Sequence, residues 1–474
     1  MKQQLYINGQ WKEGKEYAPL YAPYSGEQLA EVAQGTESDV YEAIEAAKRA
    51  SKQMAALSAY ERAAILEKVV QQLQERKEEF AQIIVQEAAK PIKAARGEVD
   101  RTIQTYKVAA EEAKRMSGET IPLDAAPGAD GRIAYTVRKP IGVIGAITPF
   151  NFPMNLVAHK VGPAIAAGNS IVLKPASQTP LSSYALADVF TQAGLPKGAL
   201  NIITGKGSVV GEALVQDDRV AAITFTGSPE VGIAMKQKAG LKRVTLELGS
   251  NAAVIIDEDV CITDELIDRI TWGAFVYNGQ VCISVQRIFV HESIMESFLE
   301  KFAAATKQLT IGDPADEATD VTALISKADV SRVGKWVQEA VEAGASLVTG
   351  GKQHSASTYE PTILANVPND VSIQCKEVFG PVVTVNSFTT FAKAIDKVNG
   401  SKYGLQAGVF TNDVTKVWQA IDELEVGGVI INDVPTFRVD HMPYGGVKES
   451  GTGREGIKYA MEEMTELKLV CIKK

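Results

Sequence analysis

Short apolar runs alternate with longer amphipathic stretches between residues 140 and 248. The apolar runs are rich in β-branched side chains and predict buried strands at residues 141–147, 170–173, 200–203, 221–225 and 244–246. The stretches between them have helical spacing and predict helices at residues 155–167, 182–193, 208–216 and 229–239. Strands that alternate with helices are typical of βαβ units, so this part of the chain is predicted to form a parallel sheet.

A second alternating block runs from residue 252 to about residue 431 and predicts another α/β domain. Its strands are predicted at residues 253–256, 287–291 and 429–431, and its helices at 264–276 and 294–306.

In the N-terminal part of the chain, small edge strands are expected in residues 5–33. They are followed by a helix with a capping box at Ser58 and Glu61 and by a later helix over 98–116. Residues 118–139 predict an extended hairpin, and residues 465–472 one more strand.

Composition narrows the class of protein. The 474 residues include 49 basic and 58 acidic side chains, which gives a net charge of −9, and 45% of the chain is hydrophobic. These values are typical of a globular protein and exclude a disordered, collagen-like or coiled-coil chain. Because the chain is acidic and has no run of Lys and Arg, no nucleic-acid partner is predicted.

The distribution of cysteine and of apolar residues indicates the compartment. The four cysteines lie far apart and have no nearby histidine ligands, so neither a disulfide framework nor a metal site is predicted. The longest uncharged run, residues 141–158, contains Pro149 and Pro153 and is not expected to span a membrane. The first residues lack the apolar core of a secretion signal, so we expect a soluble cytoplasmic protein.

Cys282 is the candidate nucleophile. It follows a Gly-Gln break after a predicted helix, where free backbone N–H groups can stabilise a thiolate or an oxyanion. A cysteine considered alone is more often a buried structural thiol, and we keep that interpretation for Cys261, Cys375 and Cys471.

Two further polar residues follow predicted strands. Glu247 lies between two leucines, where burial would favour its neutral form and make it a proton acceptor near neutral pH. The alternative for Glu247 is a structural carboxylate paired with an arginine. Asn151 follows Pro149 and precedes Pro153, so its amide N–H is held rigidly and can serve an oxyanion, although such an asparagine is often only a turn former.

The strand ends also carry groups suited to a phosphorylated ligand. Lys174 ends one predicted strand, and Gly227-Ser228 leads from another strand into a helix. A glycine before a helix N-terminus leaves N–H groups free for an anion. Neither feature is the dinucleotide-binding glycine fingerprint, so each is a weak signal by itself.

Taken together, these segments closely resemble the aldehyde dehydrogenase superfamily, non-phosphorylating and NAD(P)-dependent, and within it most resemble the lactaldehyde dehydrogenase-like branch. The resemblance covers almost the whole chain, starting at Ile7-Asn8-Gly9-Gln10-Trp11. It rests on seven motifs in order, Pro149-Phe150-Asn151-Phe152-Pro153, Lys174-Pro175, Phe225-Thr226-Gly227-Ser228, Glu247-Leu248-Gly249, Gly279-Gln280-Val281-Cys282, Glu377-Val378-Phe379-Gly380-Pro381 and Pro443-Tyr444-Gly445-Gly446.

The resemblance implies an α/β fold with a Rossmann-type cofactor domain, an α/β catalytic domain and a small β oligomerisation arm. We assign residues 1–118 and 140–248 to the cofactor domain, 249–455 to the catalytic domain, and 119–139 with 456–474 to the arm. The arm's exposed strand edges would seek a partner sheet, so a homo-oligomer, either a dimer or a tetramer, is expected.

The resemblance also implies roles for the site residues. Cys282 would attack the aldehyde carbonyl, the Asn151 amide and the Cys282 backbone N–H would hold the oxyanion, and Glu247 would activate the water that hydrolyses the resulting thioester. NADP or NAD would be held by Thr148, Pro149, Lys174, Ser177, Phe225, Gly227, Ser228, Leu248, Glu377 and Phe379.

Ser177 bears on the choice of cofactor. NAD-specific relatives commonly carry a glutamate at this place, which would repel a 2′-phosphate. A serine beside Lys174 removes that repulsion and leaves a cation for the phosphate, so we expect NADP to be accepted, with NAD also usable.

Arg101, Arg438 and His441 match regions that line the aldehyde tunnel in relatives, and together they can bind a carboxylate, phosphate or sulfonate. The expected substrate is therefore a short, polar or anionic aldehyde, like lactaldehyde or glyceraldehyde, with glyceraldehyde 3-phosphate, succinic semialdehyde and sulfolactaldehyde as alternatives. Val281 stands where glyceraldehyde-3-phosphate relatives carry arginine, and Val276 where succinic semialdehyde relatives do, which argues against both of these substrates.

Two other interpretations remain. A CoA-acylating relative would pass the acyl group to CoA, but such enzymes generally lack the base that Glu247 supplies. A catalytically silent relative would not need Cys282, Glu247 and Asn151 together.

Overall fold

Eight strands form the first sheet of the computed structural model, which describes residues 1–474. Its five central strands are parallel, as predicted, and the strands at both edges are antiparallel. In spatial order they are Gly451–Thr452, Arg243–Glu247, Val220–Thr226, Val143–Ile147, Ser170–Lys174, Leu200–Ile202, Leu5–Ile7 and Gln10–Lys12. All side chains of Val143–Ile147 and Ser170–Lys174 are buried, because helices cover both faces of a parallel sheet.

The second sheet has seven strands and belongs to the second predicted α/β block. All of its neighbouring pairs are parallel except the pair formed by Ser346–Thr349. In spatial order the strands are Ser346–Thr349, Thr362–Ala365, Val382–Phe388, Arg287–His291, Ala253–Ile256, Gln406–Phe410 and Gly428–Ile431.

A separate three-stranded antiparallel sheet contains the predicted hairpin and the C-terminal strand. Its strands are Thr465–Lys473, Arg132–Pro140 and Thr120–Ile121. The remaining strands form small sheets, and they are Lys2–Gln3, Gln28–Gln34, Glu16–Tyr21, Tyr403–Gly404 and Val447–Lys448.

The α-helices surround the sheets, and the capping box at Ser58 and Glu61 is confirmed. The helices are Glu37–Ala56, Ala59–Glu75, Lys77–Ala88, Ile92–Ala113, Asn155–Ala166, Leu181–Gln192, Glu212–Gln216, Pro229–Lys238, Asp264–Phe275, Met295–Lys307, Lys327–Glu342, Ser372–Cys375, Phe391–Asn399, Val414–Glu423 and Ile457–Glu463. No helix is long and apolar enough to cross a membrane.

One helix is longer than predicted. The sequence places its start near Glu98, whereas the structure starts it at Ile92, directly after Pro91. A Cβ at Gly97 would meet nothing within 4 Å, so this glycine lies on an open part of the helix surface. Glu98 and Arg101 lie on this helix, which runs beside Asn155–Ala166.

Candidate active site

A turn of three residues in the left-handed conformation precedes Cys282. Tyr277, Asn278 and Gly279 have φ angles of 48°, 57° and 70°. Non-glycine residues in this region cost roughly 1–3 kcal/mol each and persist where the surroundings over-determine them. At Gly279 a Cβ would lie 2.3 Å from the carbonyl oxygen of Gly380, so only glycine fits there.

Side chains of the turn fix it to distant parts of the chain. The Tyr277 hydroxyl donates to the Ala88 carbonyl at 2.9 Å. The Asn278 amide donates to the Ala323 carbonyl, also at 2.9 Å. These bonds offset the backbone strain and place Cys282 between the two large sheets.

Cys282 is partly exposed to a cavity of about 960 Å³, and its Sγ lies 2.9 Å from the hydroxyl oxygen of Tyr444. Burial raises the pKa of the Cys282 thiol to about 11, against the lowering effects of Tyr444 and Arg438, and the carboxyl groups of Glu377 and Glu247 raise it further. Loss of solvation and the nearby carboxyl groups thus outweigh the stabilisation of the thiolate by Tyr444 and Arg438.

Cys261, Cys375 and Cys471 are all exposed, so the interpretation of these three as buried structural thiols is wrong. Cys471 lies on the C-terminal strand of the three-stranded sheet, which has no large core to bury it.

Asn151 is buried beside the turn that carries Cys282. Its Nδ2 donates to the Gln280 carbonyl at 2.9 Å, which fixes the amide and leaves its second N–H for another acceptor. Its Oδ1 has no hydrogen-bond partner. This arrangement can hold an oxyanion formed near Cys282.

Glu247 ends the strand Arg243–Glu247 and is only 3% exposed, and neither carboxyl oxygen has a hydrogen-bond partner. Burial raises its pKa well above the usual value, and the charge of Glu455 raises it further. Gly445 approaches it so closely that a Cβ there would lie 2.9 Å from its Oε1. The structure thus favours a proton acceptor over the alternative of an arginine-paired structural carboxylate.

A buried ionic network lies behind Glu247. Lys160 donates to Glu455 at 3.0 Å and to the hydroxyls of Thr224 and Thr226, and Arg438 donates to Glu455 at 3.0 Å. Against the desolvation that would raise it, Lys160 and Arg438 hold the pKa of Glu455 well below its usual value. The network therefore keeps one full negative charge close to Glu247.

A second cluster centres on Asp440. Its carboxylate accepts hydrogen bonds from Arg101 at 2.8 Å and from the Asn155 amide at 3.1 Å, and it lies 2.8 Å from Nε2 of His159. Although burial alone would raise it, these partners hold the pKa of Asp440 well below its usual value. Burial, followed by the charge of Arg438, lowers the pKa of His159.

Arg101 and Arg438 both line the Cys282 cavity, whereas His441 is exposed and does not line it. The Arg438 side chain is only 6% exposed, and its Nε has no partner. Arg101 uses Nε and Nη2 for Asp440 and leaves its Nη1 without a protein acceptor. Two guanidinium groups therefore lie in the wall of the cavity that contains Cys282, each with one nitrogen that has no protein acceptor. Apolar and aromatic residues complete the wall, among them Phe152, Leu156, Trp272, Phe275, Val281 and Ile283.

On the other side of Cys282, the strand ends of the first sheet carry the predicted cofactor residues. Register pairs Ile147 with Lys174 and Thr226 with Glu247, so these ends form one edge. Lys174 is buried, and its Nζ has only the Pro175 carbonyl, 3.4 Å away, so desolvation lowers its pKa to about 8. The other predicted residues of this edge are Thr148, Pro149, Ser177, Phe225, Gly227, Ser228 and Leu248.

Glu377 and Phe379 come from the second sheet's domain and face the same edge. Oε1 of Glu377 accepts the Ser250 N–H at 3.0 Å, and burial raises the pKa of this carboxyl to about 8. Phe379 has a φ of 46° and packs edge-to-face on Phe150, with ring centroids 5.6 Å apart.

These groups fit a dinucleotide. A buried lysine without an acidic partner is suited to an anionic or hydroxyl-rich ligand, and the Thr148 hydroxyl is buried without a partner at the same edge. Ser228 begins the helix Pro229–Lys238 without capping it, so the helix N–H groups remain free for a phosphate.

Two features of the site were not predicted from the sequence, namely the contact between Tyr444 and Cys282 and the network of Lys160 and Glu455. Lys160 is the one charged residue on an otherwise apolar helix, which was a usable signal. Tyr444 was noted only as part of a motif, and a contact between residues 162 positions apart leaves no local pattern.

Known proteins match this chain over nearly its whole length. A relative from Priestia aryabhattai named 3-sulfolactaldehyde dehydrogenase is 48% identical over 468 residues, which is 99% of this chain and 97% of that protein. A protein of Methanococcus aeolicus named lactaldehyde dehydrogenase is 40% identical over 472 residues, 99% of each chain.

A solved structure shares the fold as well. The glyceraldehyde-3-phosphate dehydrogenase GapN of Methanocaldococcus jannaschii, complexed with NADP, is 42% identical with a TM-score of 0.93, and the match covers 97% of this chain and 100% of that one. The sequence model described as the aldehyde dehydrogenase family matches residues 11–470. This chain therefore belongs to the aldehyde dehydrogenase family, and it is an oxidoreductase that acts on aldehyde groups with NADP or NAD as its cofactor.

Proposed function

We propose that this enzyme oxidises a short polar aldehyde that carries an anionic group to the corresponding carboxylic acid. The observation that carries the proposal is the buried Arg438 guanidinium, which lines the Cys282 cavity and has an Nε without a partner. A buried donor of this kind favours an acceptor on the ligand, and a guanidinium pairs well with carboxylate, phosphate or sulfonate. The name of the Priestia aryabhattai relative, whose substrate bears a sulfonate, supports the same class.

The chemistry that we propose begins at Cys282. Its sulfur attacks the aldehyde carbon, and the carbonyl oxygen takes up negative charge within reach of the free Asn151 N–H and the Cys282 backbone N–H. The nicotinamide of the bound cofactor supplies the hydride acceptor. Glu247 then removes a proton from the water that cleaves the thioester. Its buried carboxyl is suited to this step because its raised pKa makes the carboxylate a stronger base.

The cofactor would be held by the edge residues described above, with Lys174 and Ser177 at the adenosine ribose, Ser228 at the pyrophosphate, and Glu377 and Phe379 at the nicotinamide end. Ser177 is exposed, and its hydroxyl lies 3.5 Å from the Gly205 carbonyl, so no acidic group stands there against a 2′-phosphate. We infer that NADP is accepted at least as well as NAD.

The substrate class is tested with a panel of lactaldehyde, glyceraldehyde, glyceraldehyde 3-phosphate, succinic semialdehyde and 3-sulfolactaldehyde, each with both cofactors. We expect one of the anionic members to have the highest kcat/KM, and the product to be the free acid with or without CoA. Equal kcat/KM for neutral and anionic aldehydes would contradict the proposal. An acyl-CoA product would support the alternative of a CoA-acylating enzyme. The absence of turnover with every aldehyde would support the alternative of a catalytically silent relative.

Cofactor choice is tested with Ser177→Glu. The added carboxylate would repel the 2′-phosphate and accept hydrogen bonds from free ribose hydroxyls, so kcat/KM with NADP should fall while that with NAD is kept. The control is Ser355→Glu, which adds the same charge at an exposed serine of the second sheet's domain, outside the edge that holds the cofactor. A strong preference for NAD that is unchanged by Ser177→Glu would refute the inference.

A further inference from the structure

The Tyr444 hydroxyl has a single hydrogen-bond partner, the Sγ of Cys282 at 2.9 Å. Tyr444 is only 3% exposed, so no bulk water competes for this contact. We propose that Tyr444 is a further catalytic residue, whose hydroxyl donates to the sulfur of Cys282 and stabilises the thiolate that attacks the aldehyde. The proposal rests on the function of Cys282 as the nucleophile.

The direction of the hydrogen bond follows from the chemistry of the two groups. A thiolate has no hydrogen to donate, so in the reactive state the phenol must be the donor. Burial raises the pKa of Tyr444 well above its usual value, so the phenol keeps its proton. The hydroxyl therefore solvates the charged sulfur without taking part in proton transfer.

Arg438 strengthens this donor. Its guanidinium lies 3.6 Å from the centroid of the Tyr444 ring and is held in place by Glu455 at 3.0 Å. A cation on the face of an aromatic ring is attracted to its electrons, which makes the phenol O–H more polar. Its positive charge also favours the thiolate directly.

Tyr444 and Arg438 affect the ionisation of Cys282 in the opposite direction to the nearby carboxyl groups. Burial, then Glu377 and Glu247, disfavour the thiolate, whereas Tyr444 and Arg438 favour it. When Cys282 ionises, its proton passes to water in the cavity. The S–C bond then forms while the carbonyl π pair moves to oxygen, which the Asn151 amide can bind, and the phenol O–H remains intact throughout.

The test compares the pH dependence of Cys282 alkylation by iodoacetamide in the wild type, Tyr444→Phe and Tyr106→Phe. Because Cys261, Cys375 and Cys471 are exposed and also react, the label is quantified on the Cys282 peptide by mass spectrometry. Loss of the hydroxyl at position 444 should raise the apparent pKa of Cys282 by about one unit and slow alkylation near pH 7.5 about tenfold. Tyr106→Phe is the control, since it removes the hydroxyl of a buried tyrosine that has no hydrogen-bond partner and does not line this cavity, and it should leave that pKa unchanged.

An unchanged apparent pKa in a folded Tyr444→Phe variant would overturn the proposal. If that variant fails to fold, 3-fluorotyrosine incorporated at position 444 keeps the shape and gives a more acidic phenol, and it should lower the pKa of Cys282, with no change counting against the proposal. Alkylation needs neither aldehyde nor cofactor. The proposed oxidation can therefore fail while this result stands, and the two outcomes are distinguishable.

Discussion

Glu247 combines two properties that rarely occur together, since it is buried and both of its carboxyl oxygens lack partners. A glutamate with only a structural role would destabilise the folded state here, because burying a polar group without a hydrogen-bond partner is unfavourable. Gly445 packs so closely that a Cβ there would lie 2.9 Å from Oε1 of Glu247. At the level of single residues, the unpaired carboxyl group supports the proposal that Glu247 acts as the base.

Replacing this base should separate the two halves of the reaction. Glu247→Gln is expected to keep a burst of about one NADPH per active site, because Cys282 is unchanged, and to lower steady-state turnover about 10²- to 10⁴-fold by slowing hydrolysis. Stopped-flow absorbance of the reduced cofactor measures both phases. Glu111→Gln, at an exposed position, is the control, and loss of the burst in Glu247→Gln would contradict the assignment.

The raised pKa of Glu247 also gives a direction for the pH profile. The base works only when deprotonated, so deacylation should slow as the pH falls through the raised pKa and should increase towards alkaline pH. Steady-state kcat measured across pH checks this where hydrolysis limits turnover. In Glu247→Gln the rise of kcat with pH should be absent. If that rise persists, it comes from the ionisation of another group.

Among the single residues, those with a local sequence signal could be singled out from the sequence, whereas those defined by distant partners could not. Cys282, Glu247 and Asn151 each follow a predicted element with unusual neighbours, and in the structure they lie close to one another. The pKa of the Cys282 thiol could not be predicted from the sequence. It depends on Tyr444 and Arg438, which lie more than 150 positions further along the chain.

At the level of elements, the turn Tyr277–Gly279 connects backbone conformation to chemistry. The predicted helix over 264–276 was right to within one residue, since the structure ends it at Phe275. The consecutive left-handed residues that follow were not predicted, because Tyr277 has no intrinsic preference for that conformation. Only the packing of Gly279 against Gly380 and the bonds to distant carbonyls impose it.

Gly279→Ala tests this turn. The new methyl group would combine a positive φ with a clash 2.3 Å from the Gly380 carbonyl oxygen, so we expect loss of most activity and a lower stability in urea unfolding. Gly26→Ala is the matched control, because Gly26 has a φ of +74° but nothing within 4 Å of the added Cβ. That control should lose about 1–2 kcal/mol and retain activity. Equal effects of the two substitutions would show that the clash does not matter.

At the level of the whole molecule, the three-stranded arm exposes apolar side chains on both faces. Leu467 and Leu469 are 53% and 57% exposed, and Ile133, Tyr135 and Ile472 are 47%, 39% and 51% exposed. Register places Ile133 opposite Ile472, away from the face of the two leucines. A thin sheet that is apolar on both faces is poorly stabilised alone, which supports the proposal of a homo-oligomer built through the arm.

Leu469→Glu should disrupt such an assembly, because a charge would be buried at the interface. Light scattering after size-exclusion chromatography is expected to show a lower mass than the wild type, with the monomer fold retained by circular dichroism. The control is Lys474→Glu, directly after the strand Thr465–Lys473, and it should leave the measured mass of the assembly unchanged. A wild type that is already monomeric would exclude the arm as an oligomer contact.

The antiparallel pairing of Gly451–Thr452 with the strand that ends in Glu247 has a consequence for biosynthesis. The Leu248 N–H bonds to the Ser450 carbonyl at 2.9 Å, and the opposite edge of the same sheet is formed by residues near the start of the chain. Residues 451–452 must therefore be synthesised before this sheet is complete beside Glu247. A nascent chain that stops earlier would contain Ile147, Lys174 and Thr226 but would lack the edge strand that pairs with Leu246 and Glu247.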